Sequence, residues 1–135
     1  MIIVNHECYV DLEVAKLLKE AGFDWECCYC YDAETKDFLD DNEGEFNFNE
    51  GDDNNFYSAS TLDVAQRWLR EAKNISVDIS STRYSEWEYI IRKINQVNHN
   101  DNTIFALTAC RFYTYEEALE AGINKALEII LDKGE

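Results

Sequence analysis

The sequence predicts an α+β fold in which three helices pack on one side of a mainly antiparallel sheet of four to five strands. The expected order is α-β-β-α-β-β-β-α. Three observations carry this expectation. Apolar residues recur at helical spacing in three capped stretches. Aromatic and β-branched residues alternate in the runs between them. The chain has no proline and only five glycines, so its turns fall to Asn and Asp rather than to a Pro-rich linker. Its 135 residues suit a single domain over 1–135.

The first helix opens at Asp11, whose short acidic side chain suits an N-cap. Val14, Leu17, Leu18 and Ala21 form its apolar stripe, Gly22 supplies a left-handed stop, and Phe23 folds back on Leu18. Met1 to Val4 reads as a short edge strand. Trp25, Cys27, Tyr29 and Tyr31 alternate onto one face of a second strand. After a turn at 32–36, Phe38 and Leu39 begin the return strand. An acidic excursion covers 40–55, where Phe46 and Phe48 stand at strand spacing and suggest pinning to the fold. The second helix starts near Ser60 or Thr61, with Ser60 and Asp63 as a shortened capping box. Leu62, Ala65, Leu69 and Ala72 make its stripe, Trp68 lies at the edge, and Arg67 pairs with Glu71 on the outside. Asn74 ends it.

Ile75 to Ile79 alternates as a half-buried strand, with Trp87 to Ile94 as its hairpin partner. A strand from Ile104 to about Phe112 follows an Asn-rich loop. The last helix begins with a capping box, Thr114-Tyr115-Glu116-Glu117, and carries the stripe Tyr115, Ala118, Leu119, Gly122, Ile123, Ala126, Leu127 and Ile130. Lys133 suits the dipole at its end. Glycine inside an apolar stripe costs helix propensity, so Gly122 predicts a close backbone contact against a strand.

An apolar fraction of 46% excludes a disordered composition. No apolar run approaches the roughly 18–20 residues that cross a bilayer, and the first residues lack the features of a signal peptide. A cytoplasmic setting follows as the expectation, with Cys8, Cys27, Cys28, Cys30 and Cys110 as thiols. The formal charge is −16, which disfavours direct contact with nucleic acid or an anionic membrane. Residues 32–55 hold ten acids against Lys36 alone, a net −9 in 24 residues. Asp40, Asp41, Glu43, Glu45, Glu50, Asp52 and Asp53 are therefore the candidate partner-binding residues, and a protein with a basic surface is the expected partner.

Leu12 to Phe23, Ala65 to Glu71 and Thr114 to Ile123, in that order, resemble small uncharacterised proteins of phages and prophages of Bacteroides and related gut bacteria. The family often has a proline before the second helix, near Thr61, and this chain does not. The resemblance implies a mobile-element origin and the cytoplasm of a bacterial host. It brings no activity and no active residue.

Other chemistry is weakly signalled. Cys28 and Cys30 on one strand face, approached by Cys8 and His6, outline a zinc site without the second Cys-x2-Cys knuckle such sites use. An EF-hand fails in both frames, because counting back from Gly44 or Gly51 puts Leu39 or Phe46 at the first ligand position. His6 and His99 adjoin no nucleophile motif, and Glu86 with Glu88 reads more simply as an exposed strand row than as an acid–base pair. No phosphate loop or dinucleotide fingerprint occurs. No cofactor and no enzymatic activity are expected. Trp25, Tyr29, Tyr31, Trp87 and Tyr89 offer aromatic surface suited to protein contact, since base stacking would want basic neighbours. The reading is a non-enzymatic protein-binding module. An acidic nucleic-acid mimic that blocks a DNA-binding or defence protein, or a calcium- or zinc-binding protein, are the alternatives. The Ala/Gly/Ile face of the last helix would equally serve a homo-oligomer.

Overall fold

The computed structural model describes residues 8–40, 44–50, 55–82, 84–94, 103–107 and 111–132. It is α+β, with three helices and two small antiparallel sheets among the described residues. The chain gathers into two compact units, Met1–Thr61 and Leu62–Glu135.

In the first unit, α1 (Leu12–Ala21) is delimited at both ends by its own sequence. Asp11 Oδ1 accepts the Val14 N–H at 2.9 Å. Gly22 closes the helix at φ 98°, and the Phe23 N–H reaches Leu18 O at 2.9 Å. This is the double reversal that glycine permits because it has no Cβ. Val14, Ala15, Leu18 and Ala21 are buried, whereas Leu17 is only half-buried. Three short strands form the sheet β2-β1-β3: β1 (Tyr29–Asp32), β2 (Phe38–Asp40) and β3 (Phe56–Ser58). β1 starts later than its alternation suggests. Cys27 makes an isolated bridge to Phe46 and Cys28 occupies a bend, so the alternation resets before Tyr29. β3 has no counterpart in the sequence reading, because Phe56-Tyr57 follows a run of Asp and Asn that reads as loop. α1 packs against β3, where Lys19 Nζ donates to Phe56 O at 3.2 Å and stands 5.2 Å from the Tyr57 ring centroid.

In the second unit, α2 (Leu62–Lys73) buries Leu62, Ala65, Trp68 and Leu69. Two details differ from expectation. Ala72 is exposed while Trp68 is fully buried, which rotates the stripe toward the indole. Ser60 donates its hydroxyl to Thr61 O at 3.0 Å, so it does not form a capping box with Asp63. Arg67 and Glu71 pair as expected. Asn74 ends the helix at φ 56°. The sheet β4-β5-β6 comprises β4 (Ile75–Ser81), β5 (Trp87–Lys93) and β6 (Thr103–Leu107), with a register shift at Ile91/Arg92. Beyond β6, Phe112 bridges Trp87.

α3 (Tyr115–Ile130) starts at Thr114, whose Oγ1 accepts the Glu117 N–H at 3.1 Å. Ala118, Leu119, Gly122, Ile123, Ala126 and Leu127 are buried, and Tyr115 and Ile130 at the two ends are not. The expected close approach at Gly122 is present. A Cβ there would stand 2.7 Å from Val77 Cγ1 and 3.1 Å from Tyr89 Cβ. Met1 to Val4 and Lys133 lie outside the described residues.

The single sheet of four to five strands is thus replaced by two sheets. In the first unit β1 has β2 on one edge and β3 on the other, so both edges of its central strand are taken by strands of the same unit. In the second unit α2 occupies part of the outer edge of β4, where Gln66 Nε2 donates to Val77 O at 2.6 Å. A carbonyl satisfied by a side-chain amide offers less to an incoming strand.

Candidate functional site

The acidic excursion is anchored to the first unit by main chain and amides, and this fixes where its described carboxylates stand. Cys27 and Phe46 exchange both backbone hydrogen bonds, at 2.8 and 3.0 Å. Phe48 N–H donates to Ser58 Oγ at 3.0 Å. Asn49 then works in two directions: its Oδ1 accepts the Ser58 N–H at 3.0 Å, and its Nδ2 donates to Phe23 O at 3.0 Å. Buried backbone groups need such partners, and an Asn amide supplies both a donor and an acceptor. Residues 44–50 are therefore a pinned segment, with Glu45 and Glu50 exposed on it.

Of the candidate residues, Asp40 is exposed at the end of β2, and Glu45 and Glu50 are exposed on the pinned segment. Asp41, Glu43, Asp52 and Asp53 lie outside the described residues. A feature that a 24-residue window concealed is that acidity follows the units. Met1–Thr61 contains sixteen acids and three lysines, a net −13, which leaves −3 of the total −16 to Leu62–Glu135. Outside the excursion, Asp11, Glu13, Glu20, Asp24 and Glu26 are exposed too.

The turn between β1 and β2 is organised around Asp32. Its Oδ1 accepts the N–H groups of Glu34 at 2.8 Å and Thr35 at 3.0 Å. The Thr35 N–H, then that of Glu34, hold this carboxyl below the usual carboxylate range, because both bonds favour the ionised form. A shallow depression of about 480 Å³ opens beside it, lined by Asp32, Ala33, Glu34, Asn55 and Phe56.

Cysteine placement departs from the zinc arrangement. Cys28 and Cys30 do not share a face: the bend leaves Cys28 exposed while Cys30 is buried. Cys28 Sγ donates to Glu45 Oε1 at 3.8 Å, Cys8 is exposed, and His6 and Cys110 lie outside the described residues. No group of three or more His, Cys, Asp or Glu side chains suited to a metal ion occurs among the described residues. Desolvation pushes the Cys27 thiol up to about 12, with Cys28 and Glu45 adding to the effect. Cys28 is raised as well, by desolvation first and then by the Glu45 carboxylate. Thiols held protonated at neutral pH are poor nucleophiles.

The aromatic residues divide between the units. Tyr29 stacks on Phe38 with centroids 5.0 Å apart, and Tyr9 and Tyr31 meet the same ring edge-on at 5.4 and 5.3 Å. Tyr31 Oη donates to Val10 O at 2.7 Å. Desolvation, followed by the neighbouring Tyr29, raises the Tyr9 phenol. Trp87 meets Tyr115 at 5.4 Å, and Tyr89 stacks on Phe112 at 6.3 Å. Each set of rings packs locally within its own unit. Glu86 and Glu88 likewise have different partners, Arg111 at 3.8 Å and the Ser80 hydroxyl at 3.5 Å.

Two contributors escaped sequence reasoning. Asn49 is one Asn in a segment full of them, and nothing local distinguishes the one that anchors the loop. Phe56 sits beside the depression, and only strand pairing puts it there. No protein-family profile, curated protein or solved structure matches the chain. No helix of the described residues is long and apolar enough to cross a membrane.

Proposed function

We propose that this protein is a non-enzymatic accessory factor of a phage or prophage that binds a basic protein in the cytoplasm of its bacterial host. The observation that carries the reading is the partition of charge: −13 in the first unit against −3 in the second. A field of one sign confined to one part of a molecule steers partners of the opposite sign and orients their encounter. The pinned backbone supports it further, since Glu45 and Glu50 are held on an anchored segment and lose less conformational freedom on binding. The likeness to Bacteroides phage and prophage proteins supplies the setting.

The test is affinity capture from a Bacteroides lysate with identification of what is retained. The expected result is a basic protein that elutes as salt rises and is lost when Asp40, Glu45 and Glu50 are changed together to Lys. Retention of neutral or acidic proteins alone, or indifference to the triple change, would overturn the reading. The nucleic-acid-mimic alternative gains from the exposed acids on α1 and at Asp24 and Glu26, because a mimic needs carboxylates spread over a surface rather than crowded in one loop. It requires that duplex DNA or RNA displace this protein from the captured partner. Unimpeded simultaneous binding would exclude it.

A further inference from the structure

Antiparallel register places specific side chains of the first sheet on a common face. Residues directly opposite one another across antiparallel strands share a face, and so do residues two apart on one strand. Cys30 pairs with Leu39 on one side and with Ser58 on the other, and Asp32 pairs with Phe56. Cys30, Asp32, Leu39, Phe56 and Ser58 therefore lie on one face. Ser58 is fully buried and its hydroxyl accepts from Phe48, so the pinned segment covers that end of the face. Across the same row, on the far edge strand, Leu39 is 37% exposed; one step along β3 from Ser58, Phe56 is 39% exposed, with the depression of about 480 Å³ opening against it.

Exposed leucine and phenylalanine are unusual company for so many acids. Among the residues whose side chains are described, which leaves out Ile104, Phe105 and Leu107 of β6, the exposed large apolar side chains of the second unit are tyrosines, whose hydroxyls tolerate water. Those of the first unit are Leu39, Phe46 and Phe56, which have no polar atom. They occur in the unit that carries −13. A second copy of the chain would bring the same charge and be repelled, so the occupant must offer apolar side chains together with positive charge.

We propose that the open part of this sheet face, running diagonally from Leu39 to Phe56, docks a basic amphipathic segment of the partner, with apolar anchors on Leu39 and Phe56 and an Arg or Lys side chain in the Phe56 depression. This rests on the reading of the protein as a binder of basic proteins and deepens it by naming the surface. The cationic stem lies along the Phe56 ring and its head meets Asp32 and Glu34. Long basic side chains bury their methylene stems against apolar surface in this way. An Arg head adds stacking and bidentate pairing with a carboxylate.

A synthetic peptide helix with leucines on one face and arginines on the other is the probe, titrated into the full chain by fluorescence anisotropy. Phe56→Ala and Leu39→Ser are each expected to weaken binding about tenfold, the scale of a central interface anchor. Tyr113→Ala, on a residue 81% exposed in the second unit, should leave it unchanged. A peptide with serine for every leucine should lose most of its affinity for the unaltered protein, which keeps the test independent of any variant's folding. Binding that survives both protein substitutions and the leucine-free peptide, yet vanishes in Asp40→Lys/Glu45→Lys/Glu50→Lys, overturns this docking face and leaves the broader reading standing. No binding of this peptide and no capture of a basic protein overturns both. A dimer of the free chain that dissociates on Phe56→Ala would show a second copy as the occupant and overturn the proposal.

Discussion

Asn49 ties three segments together with one amide, and its removal isolates more than one hydrogen bond. Asn49→Ala strips the Ser58 N–H and the Phe23 carbonyl of their partners. Unsatisfied buried groups of this kind cost about 1–3 kcal/mol each, so the expected loss of stability is about 2 kcal/mol or more by chemical denaturation. Gly122 tests packing rather than polarity. Gly122→Ala would improve helix propensity by up to about 1 kcal/mol. The new methyl would nevertheless meet Val77 Cγ1 at 2.7 Å and Tyr89 Cβ at 3.1 Å. Overpacking of that kind costs about 1–3 kcal/mol, and the net effect should be destabilising because Val77 is β-branched and has little room to turn. Cys27 gives a pH prediction. Its folded thiol is raised from an ordinary value of 9.0 to about 12, so the folded state keeps a proton that the unfolded chain releases. That contribution is complete below pH 9 and declines as pH rises from 9 toward 12. The unfolding midpoint should fall across that window, and less steeply in Cys27→Ala than in the parent.

Helices and strands were legible to different degrees, and the cause is where their determinants lie. Each of the three helices carries at least one of its limits locally. Asp11, Gly22, Asn74 and Thr114 act on backbone groups within a few residues, so they can be read before any tertiary contact is known. Thr114→Ala should cost about 1 kcal/mol, seen as a lower denaturation midpoint, because the Glu117 N–H loses its acceptor. Strands have no such local closure. β3 is only three residues long and owes its existence to β1, which pairs with it through Cys30, Tyr31 and Asp32. The bend at Cys28 likewise follows from the Cys27–Phe46 bridge, a pairing across nineteen positions of chain that no alternation pattern encodes. That single bend leaves Cys28 exposed and Cys30 buried, so the two do not share the strand face that the alternation predicts.

At the scale of the whole molecule, charge and topology divide together. The acidic unit Met1–Thr61 is expected to govern association. Replacing Asp40, Glu45 and Glu50 by Lys should weaken capture of a basic partner at least tenfold, whereas reversing Glu71 and Glu128 in the second unit should change it less than twofold, with affinities compared at one fixed low salt. Raising the salt should erode the difference. The sequence by itself determined the α+β class, the three helices with the end signals at Asp11, Gly22, Asn74 and Thr114, the close contact at Gly122 and the concentration of acid around 32–55. Each of these depends on residues near in sequence or on simple counting. Only the tertiary structure decided that the strands form two sheets, that Asn49 anchors the acidic segment, and that Leu39 and Phe56 share an open face beside a carboxylate-lined depression. Those outcomes depend on register and on which edge is already occupied, as β1 is by β2 and β3 and β4 is in part by Gln66. Register is a relation between distant segments, and it has no value until the chain has folded.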